Sequence, residues 1–492
     1  MTEALWRAGD VIKAVAGAGS LAADTALTSV SIDTRTLAPG ALYVALHGVA
    51  QDGHKFVNAA FKAGAAAALV ERTYAGDDQR LIRVDDTLRG LERLGVAARE
   101  RSRARIVAVT GSAGKTTSKE MLRAMFEAIA PGRVHAAAKS FNNHWGVPLT
   151  LASMPADTAY GVFEIGMNHP GEIRPLVKMV RPHVAMITTI AAAHLGHFSG
   201  LHEIAEAKAE IFEGLAGDGA KTGWAVLPTD APHADLLMRR ALGHVSEPGF
   251  VFTFGARDDA TLQIRDVDLS PAHSCISVRG PSDTLMFNLN LAGRHNAMNA
   301  AACVATWFCA TAGQIMPEAP GDQGFAGFGR VASALEHLEI DPEGRGQVYD
   351  LRDGITLLDE SYNANPSSMR AAINTLALYP PERRRVAVLG DMLELGDTAD
   401  QWHAELADDL RDADVSCVLT CGPHMAALDA ALRDTLPSSA TLHHAAASNE
   451  LETILLASVQ TGDVIMVKGS LGSRMAPLVA ALRSHFCAPT TG

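Results

Sequence analysis

Ile106-Val107-Ala108-Val109-Thr110-Gly111-Ser112-Ala113-Gly114-Lys115-Thr116-Thr117 is the stretch on which the reading of this chain turns. Its first five residues are small or β-branched, the composition of a strand buried on both faces of a parallel sheet. Residues 118–129 then carry a helical pattern. Between them, Gly111 and Gly114 let backbone N–H groups turn inward on phosphate oxygens, and the helix adds the positive end of its dipole. Lys115 is placed to neutralise β/γ-phosphate charge and Thr116 to offer its hydroxyl to Mg²⁺, with Ser112, Ala113 and Thr117 completing the cradle. The general Walker spacing fails, since Val109 stands five positions before Gly114. A glycine turn with a solvated lysine is the bland alternative; the flanking strand and helix weigh against it. The loop alone leaves kinase, NTPase, transporter ATPase and ligase open.

Outward from the loop, strands and helices keep alternating. Upstream lie an Ala-rich helical stretch (59–67), Ala68-Leu69-Val70, Leu81-Ile82-Arg83-Val84 and a helical stretch over 88–100. Downstream, a second β-branched run covers 184–190, and the alternation continues to about residue 315. Residues 315–328 are rich in Gly and Pro and read as a linker or hinge. Beyond it come Thr356-Leu357-Leu358, 385–389, 415–419 and 463–467, each followed by Asp, Gly or Ser and then a helical stretch. That is the rhythm of a doubly wound, Rossmann-like sheet, whose ligands collect beyond the carboxyl ends of its strands. The expected fold class is therefore α/β in three units: a small N-terminal unit (1–84), a central parallel-sheet unit of the phosphate-loop ATPase kind (85–330), and a Rossmann-like third (331–492). A length of 492 residues gives each unit a core of its own.

A formal charge of −13 disfavours nucleic acid as a partner and leaves anionic substrates to local cations and backbone N–H groups. Six cysteines without a CxxC pair fit reduced thiols rather than a disulfide framework or zinc site. The N-terminus lacks a basic region followed by an apolar run, and no stretch reaches the roughly 18 apolar residues of a membrane span. A soluble, cytoplasmic chain without membrane insertion is expected.

Three further residues stand out. Glu164 closes the run Gly161-Val162-Phe163, and His194 follows the 184–190 strand. A carboxylate and an imidazole at strand ends near a phosphate loop can hold a divalent ion, although each also has an ordinary structural role open to it. In the amphipathic segment 201–212, Ile204, Ala207, Lys208 and Ile211 share one face, while Glu203, Glu206, Glu210 and Glu213 lie mostly away from it. Lys208 thus sits inside an apolar stripe, either snorkelling to water or aimed into a site.

Together these residues resemble the Mur ligase family, which also includes the folylpolyglutamate synthetases, and the resemblance runs in order over nearly the whole chain. Residues 110–117 are similar to that family's own phosphate loop. Glu164, His194 and Lys208 match its two-magnesium constellation, in which the lysine is carbamylated. Gly293-Arg294-His295-Asn296-Ala297-Met298-Asn299 resembles its nucleotide motif, which implies ATP contacts from Asn296 and Asn299. Arg330 matches an arginine at the entry to the C-terminal domain, and Glu360 falls on the ATP side. Asn142-Asn143-His144-Trp145-Gly146-Val147-Pro148-Leu149-Thr150, Asn168-His169-Pro170-Gly171-Glu172-Ile173, Asp359-Glu360-Ser361-Tyr362-Asn363-Ala364-Asn365-Pro366 and Gly390-Asp391-Met392-Leu393-Glu394-Leu395-Gly396 resemble the branch that adds D-alanyl-D-alanine. At the N-terminus, Ser31-Ile32-Asp33-Thr34-Arg35 and the segment from Gly48 through Asp52-Gly53-His54 resemble its UDP-sugar-binding domain. Ser31, Asp33, Arg35, Gly48, Asp52 and His54 are thereby assigned to the UDP substrate.

The resemblance implies an ATP-dependent, amide-forming ligase of peptidoglycan synthesis. Its partners are UDP-N-acetylmuramoyl-tripeptide, D-alanyl-D-alanine and ATP, its cofactor is Mg²⁺ as two ions, and it acts as a monomer. Asn363, Asn365 and Asp391 would reach nucleotide or dipeptide only when the third unit closes. Departures from the usual pattern are His144-Trp145, Met167, Glu360 and Leu471, the last standing where an arginine is common. A folate polyglutamylase is disfavoured by the 31–54 region, and an inactive nucleotide-binding scaffold by intact Lys115, Glu164, His194 and Lys208. No residue announces itself as the general base for the amine.

Overall fold

Three larger sheets organise the chain in a computed structural model that describes residues 4–48, 51–193, 195–216, 223–281, 283–311, 327–340 and 344–487. The first holds four parallel strands in the order Val30–Ser31, Leu42–Val44, Ala67–Glu71 and Leu81–Val84. Helix Thr87–Arg101 begins where the Asp86 carboxylate accepts the Arg89 N–H at 2.9 Å, a side-chain cap for an otherwise orphaned donor. Its Leu91, Leu94 and Ala98 pack with Leu42, Leu69 and Ile82 of the sheet, and with Leu149 and Ala152 of helix Gly146–Ala152. A division at 84/85 therefore cuts the first unit's own core: the helix behind it supplies the apolar face that the sheet needs.

The central sheet has nine strands, in the order Thr284–Leu289, Ser274–Arg279, Leu262–Leu269, Val251–Gly255, Trp224–Pro228, Val184–Ile187, Arg105–Thr110, Tyr160–Glu164 and Val134–Ala136. It is parallel except for the last two strands in sequence, which pair antiparallel as a meander. Their connections, around 270–273 and 280–283, are too short for the crossover that a parallel neighbour requires. Helix Phe328–Glu336 places Phe328, Val331 and Leu335 in the central core beside Trp307. A division at 330/331 thus falls inside a helix of the central unit, and the third unit's first strand begins at Gln347. Residues 315–326 of the expected hinge lie outside the described residues.

The third sheet runs Gln347–Asp350, Thr356–Glu360, Val464–Lys468, Arg385–Gly390, Cys417–Cys421 and Thr441–Ala445, all parallel but the first. The strand Val464–Lys468 inserts between Thr356–Glu360 and Arg385–Gly390, so three carboxyl ends meet at one edge. Those ends face the central unit. Among the described residues, no helix is long and apolar enough to cross a membrane.

Candidate active site

Register explains how the central unit builds its site. Strand Arg105–Thr110 lies between Tyr160–Glu164 and Val184–Ile187, with Val109 opposite Glu164 and Thr110 opposite Ile187. The loop that follows Thr110 therefore emerges beside the Glu164 carboxylate and the 188–193 segment. The loop is wired to that segment: the Thr188 hydroxyl donates to the Ala113 carbonyl (2.6 Å), and the Ser112 hydroxyl accepts the Ala191 N–H (2.9 Å). Gly114 has φ +80°, and a Cβ there would lie 2.5 Å from Asn299 Oδ1, so only glycine lets Asn299 of helix Arg294–Thr311 approach the loop. Helix Lys115–Glu127 starts at this glycine with its N-terminus open to the cleft.

Lys115 donates to the Gly111 carbonyl at 2.7 Å. Burial holds its amine below the ordinary lysine range; the Glu164 charge works against that shift and Arg345 adds to it. The Glu164 carboxylate is buried and accepts twice, from the Thr116 hydroxyl (2.9 Å) and the Asn142 amide (2.7 Å). Thr116 also meets the Ser140 hydroxyl at 3.1 Å. Lys208 lies on helix Leu201–Ala209 and is buried as its stripe implied. Burial first, and then the Lys115 charge, push its amine well below the ordinary range. Glu210, expected on the solvent side of that helix, is buried instead. Its two oxygens accept the Gly171 and Arg174 N–H groups, serving the start of helix Ile173–Val180. His194 lies outside the described residues.

The third unit closes one wall of the cleft. Asn365 caps helix Pro366–Leu376 and donates from its amide to the Ser112 carbonyl at 3.4 Å, directly on the phosphate loop. Asn363 and Glu360 line the same wall, and Lys468 donates to the Glu360 carboxylate (3.3 Å) and the Asn363 carbonyl (3.0 Å). Arg345 crosses from this unit to the central one: its guanidinium donates to the Ser140 hydroxyl at 3.2 Å and lies over the Tyr362 ring at 4.0 Å. One hydrogen-bonded path thus runs from Arg345 through Ser140 and Thr116 to Glu164. The cleft, of about 550 Å³, is lined by Ser112, Gly114, Lys115, Thr116, Glu164, Asn296, Asn299, Arg345, Glu360 and Asn363 among others.

Two expected residues do not belong to this wall. Arg330 sits exposed on helix Phe328–Glu336 and is not among the residues lining the cleft, whereas Arg345, just before the third unit's first strand, is. Asp391 is buried with its carboxylate turned inward, accepting the Met425 N–H (2.9 Å) and the His424 N–H (3.4 Å) ahead of helix Met425–Thr435. Sequence reasoning gave no site role of their own to Ser140, Asn142, His295, Arg345 and Lys468, although Asn142 and His295 stand inside the motifs that carry the resemblance. Gly344-Arg345-Gly346, an arginine between two glycines of positive φ, was the available signal for one of them.

In the N-terminal unit, Ser31 ends one strand and lies in register with Tyr43 of the next. Arg35 forms a two-pronged pair with Asp33 (2.6 and 2.9 Å) yet leaves its side chain 86% exposed, free to meet an anion. Hydrogen bonds from Arg35 hold the Asp33 carboxyl down at about 2. Asp52 accepts the His54 N–H and pairs with Nδ1 of its ring, while Nε2 accepts the Glu71 N–H at 3.0 Å, which fixes the proton on Nδ1. Gly48 turns the chain by donating to the Gln51 carbonyl. Burial, with the charges of Asp33 and Asp52, pushes the Tyr43 hydroxyl up to about 12, so both segments converge on that ring. The charge of Lys139 from the central unit lowers Asp33 as well.

Over residues 109–307 the sequence matches the Mur ligase middle domain, over 344–471 the Mur ligase glutamate ligase domain, and over 26–144 the Mur ligase family catalytic domain. The UDP-N-acetylmuramoyl-tripeptide–D-alanyl-D-alanine ligase of Bacillus subtilis (strain 168) is 32% identical over 462 residues, 93% of each chain. The protein of the same name from Escherichia coli (strain K12) is 34% identical over 465 residues, 94% of this chain and 95% of that one. A crystal structure of MurF from Acinetobacter baumannii superposes with a TM-score of 0.81 at 27% identity, covering 98% of this chain and 100% of that one. MurF ligase from Thermotoga maritima in complex with ADP shares the fold, with a TM-score of 0.72 at 23% identity over 93% and 97% of the two chains.

Proposed function

The chain belongs to the Mur ligase family, and from that premise we propose that it joins D-alanyl-D-alanine to UDP-N-acetylmuramoyl-tripeptide at the expense of ATP, giving the pentapeptide, ADP and phosphate. It is an ATP-dependent, amide-forming ligase of peptidoglycan synthesis. The observation that carries the reading is the convergence of Lys115, Thr116 and Glu164 from one unit with Arg345, Glu360 and Asn363 from another on a single cleft.

Chemically, the tripeptide carboxylate attacks the γ-phosphorus and ADP leaves, forming an acyl phosphate. The dipeptide amine then adds to that acyl carbon and phosphate departs. Both steps gather negative charge on oxygen, so preorganised cations and N–H groups contribute most. Lys115 and the N-terminus of helix Lys115–Glu127 supply one side of this and Arg345 the other. Asn296, Asn299 and Glu360 contact ATP, Asn299 from beside the phosphate loop. The units enclosing the cleft keep water from the acyl phosphate, whose hydrolysis would waste ATP.

Two Mg²⁺ ions fit the donor set. Thr116 and Glu164 offer hard oxygens 2.9 Å apart at the end of the phosphate loop, and His194 and Lys208 complete the proposed ligands. When bound, the ions screen the phosphate charge that the incoming carboxylate must approach. Lys208 suits the role only as its carbamate. Burial disfavours its ammonium, and the free amine adds to CO₂ through nitrogen and releases one proton, turning a cation repelled by the metal into an anion with two oxygens.

Ser31, Asp33, Arg35, Gly48, Asp52 and His54 receive the UDP end, with exposed Arg35 the cation for its diphosphate. The dipeptide enters from the third unit beside Asn363. The enzyme works as a monomer, in the cytoplasm where ATP and UDP-sugars are found. The test is phosphate release with UDP-N-acetylmuramoyl-tripeptides ending in lysine or in diaminopimelate, with and without D-alanyl-D-alanine. Pentapeptide formed only with both co-substrates is the expected result, and phosphate release indifferent to the dipeptide would refute the reading.

A further inference from the structure

Lys119 carries a fully buried charge on helix Lys115–Glu127, one turn beyond Lys115. Its ammonium donates to the Ala137 carbonyl at 2.5 Å and pairs with the Glu120 carboxylate at 2.8 Å, while the other Glu120 oxygen meets Arg123 at 2.7 Å. The reaction steps make no use of this pair. Stability alone is a weak reason for it, since replacing a buried ion pair by apolar groups of similar volume is often neutral or stabilising. What the ammonium holds is the start of a segment without regular structure. Residues 137–142 are neither helix nor strand, and the strand before them ends its pairing at Ala136, opposite Val162. Within the segment, the Phe141 N–H donates to the Lys139 carbonyl and the Asn142 N–H to the Ser140 carbonyl, which folds it into a tight turn. At its far end the Asn142 carbonyl accepts the Gly166 N–H at 2.8 Å, and Phe141 packs on the first unit's core. Between these anchors and Lys119 lie the two groups that meet the ion-site oxygens: the Ser140 hydroxyl beside Thr116, and the Asn142 amide on Glu164.

We propose that Lys119 is a positioning residue for the divalent-ion site, a clamp that sets where the 137–142 segment presents Ser140 and Asn142. Thr116 meets Ser140 and Lys119 meets Ala137, so residues three apart on the helix face residues three apart on the segment. Two rungs therefore fix the segment's register as it runs back along the helix. Without the Ala137 rung, the bond between two hydroxyls is what remains to tie segment to helix among the described residues. The segment then shifts, the Asn142 amide leaves the Glu164 carboxylate, and oxygens meant for a hard cation lose their aim. Lys119 itself touches neither substrate nor ion. That an ion binds at Thr116 and Glu164 rests on the function proposed above; the clamp rests on the contact of Lys119 with Ala137.

The test uses the full chain as wild type, Lys119→Met, Lys119→Met/Glu120→Gln, Asn142→Ala and Lys119→Met/Asn142→Ala. Mn²⁺ titration by electron paramagnetic resonance with ADP present reads the ion site, and thermal melting reads the fold. Lys119→Met is expected to weaken Mn²⁺ binding about ten-fold, the scale for losing a group that orients metal ligands, and to melt lower because Glu120 loses a partner. Adding Glu120→Gln removes the stranded charge, so the melting temperature should return to near wild type while Mn²⁺ affinity stays weak. ADP affinity without metal should stay unchanged in both, since Lys115 and its loop are untouched. Lys119→Met/Asn142→Ala should bind Mn²⁺ little more weakly than Asn142→Ala, because both changes act through one amide. Wild-type Mn²⁺ affinity in Lys119→Met/Glu120→Gln, a failure of that variant to regain stability, or losses that multiply in Lys119→Met/Asn142→Ala would each overturn the clamp. Weakened Mn²⁺ binding in the variants of a wild type that makes no pentapeptide would count against the proposed reaction and leave the clamp standing.

Discussion

Burial acts on Lys115 and Lys208 in the same direction, yet the two amines have different neighbours. Lys115 faces the Glu164 charge, which favours its ammonium, whereas the charge acting on Lys208 is that of the cation Lys115. Lys115→Ala should therefore leave the melting temperature almost unchanged while lowering turnover by roughly 10²–10³-fold, as for other groups that stabilise developing charge. Lys208 should behave the other way in stability. In the unfolded chain its amine binds a proton up to about pH 10.4, whereas burial in the fold makes it give up that proton at lower pH, so between those two points folding releases a proton and stability rises with pH. Lys208→Met, assayed in CO₂-free buffer, is expected to melt higher than wild type at pH 7, with the gain shrinking as pH approaches 10, and to be inactive. Bicarbonate with Mg²⁺ should raise the wild-type melting temperature and leave the variant's alone. A wild type indifferent to bicarbonate would count against carbamylation. The two arginines give a third contrast: Arg345→Ala should lose activity by orders of magnitude, and Arg330→Ala, altering an exposed helical position, should retain it.

Among elements, the strands that carry the site were readable because each is a short apolar run ending in a chemically distinctive residue, as with Glu164 after Tyr160-Gly161-Val162-Phe163. Lys208 was readable because a charged residue inside an apolar stripe violates the helical pattern. What stayed hidden was orientation at loop ends. Asp391 and Asn365 both follow strands of the third sheet in polar segments, and both act as backbone acceptors, but only Asn365 also reaches the phosphate loop. Nothing in their local sequence distinguishes an acceptor turned toward the cleft from one turned into the unit. Arg345 stayed hidden for a related reason: periodicity says nothing about an arginine in a glycine turn, and its meaning appears only when Ser140 arrives from another unit. The structure makes Asp391 an element-scale residue. Asp391→Ala should cost about 1–2 kcal/mol through loss of the acceptor for helix Met425–Thr435. Its activity at a temperature well below melting should fall far less than that of Arg345→Ala, and a catalytic loss at unchanged stability would show the capping role to be wrong.

At the scale of the whole molecule, the three units are not joined equally. Trp6 donates from its indole to the Ala152 carbonyl at 2.8 Å, and the Arg101 guanidinium lies 3.5 Å from the Trp6 ring centroid while donating to the Leu5 and Met154 carbonyls. Leu149 and Ala152 of the central unit are members of the first unit's core. The first unit is thus fused to the second by apolar burial, which is lost wholesale if the two are separated. By contrast, among the described residues the third unit's two clusters are drawn from its own residues with Leu195 the contribution from outside, and its link to the phosphate loop is made of polar contacts such as Asn365 to Ser112 and Arg345 to Ser140. Polar contacts exchange for water at small net cost, so they suit a unit that docks and releases during each turnover, whereas a shared core suits one that does not. Fragments should reveal the difference. Residues 344–492 alone should melt cooperatively, because removing Leu195 strips only one side chain from their cores. Residues 1–84 alone should show no cooperative transition by circular dichroism, since Leu91, Leu94, Ala98, Leu149 and Ala152 are all missing from the face that the four-stranded sheet must bury. Extending that fragment to residue 101 restores the helix but still omits Leu149 and Ala152, so an intermediate, weakened transition is expected. A sharp melt for residues 1–84 would mean that the sheet is stable without its covering helix, and the shared-core account of how these units are joined would have to be abandoned.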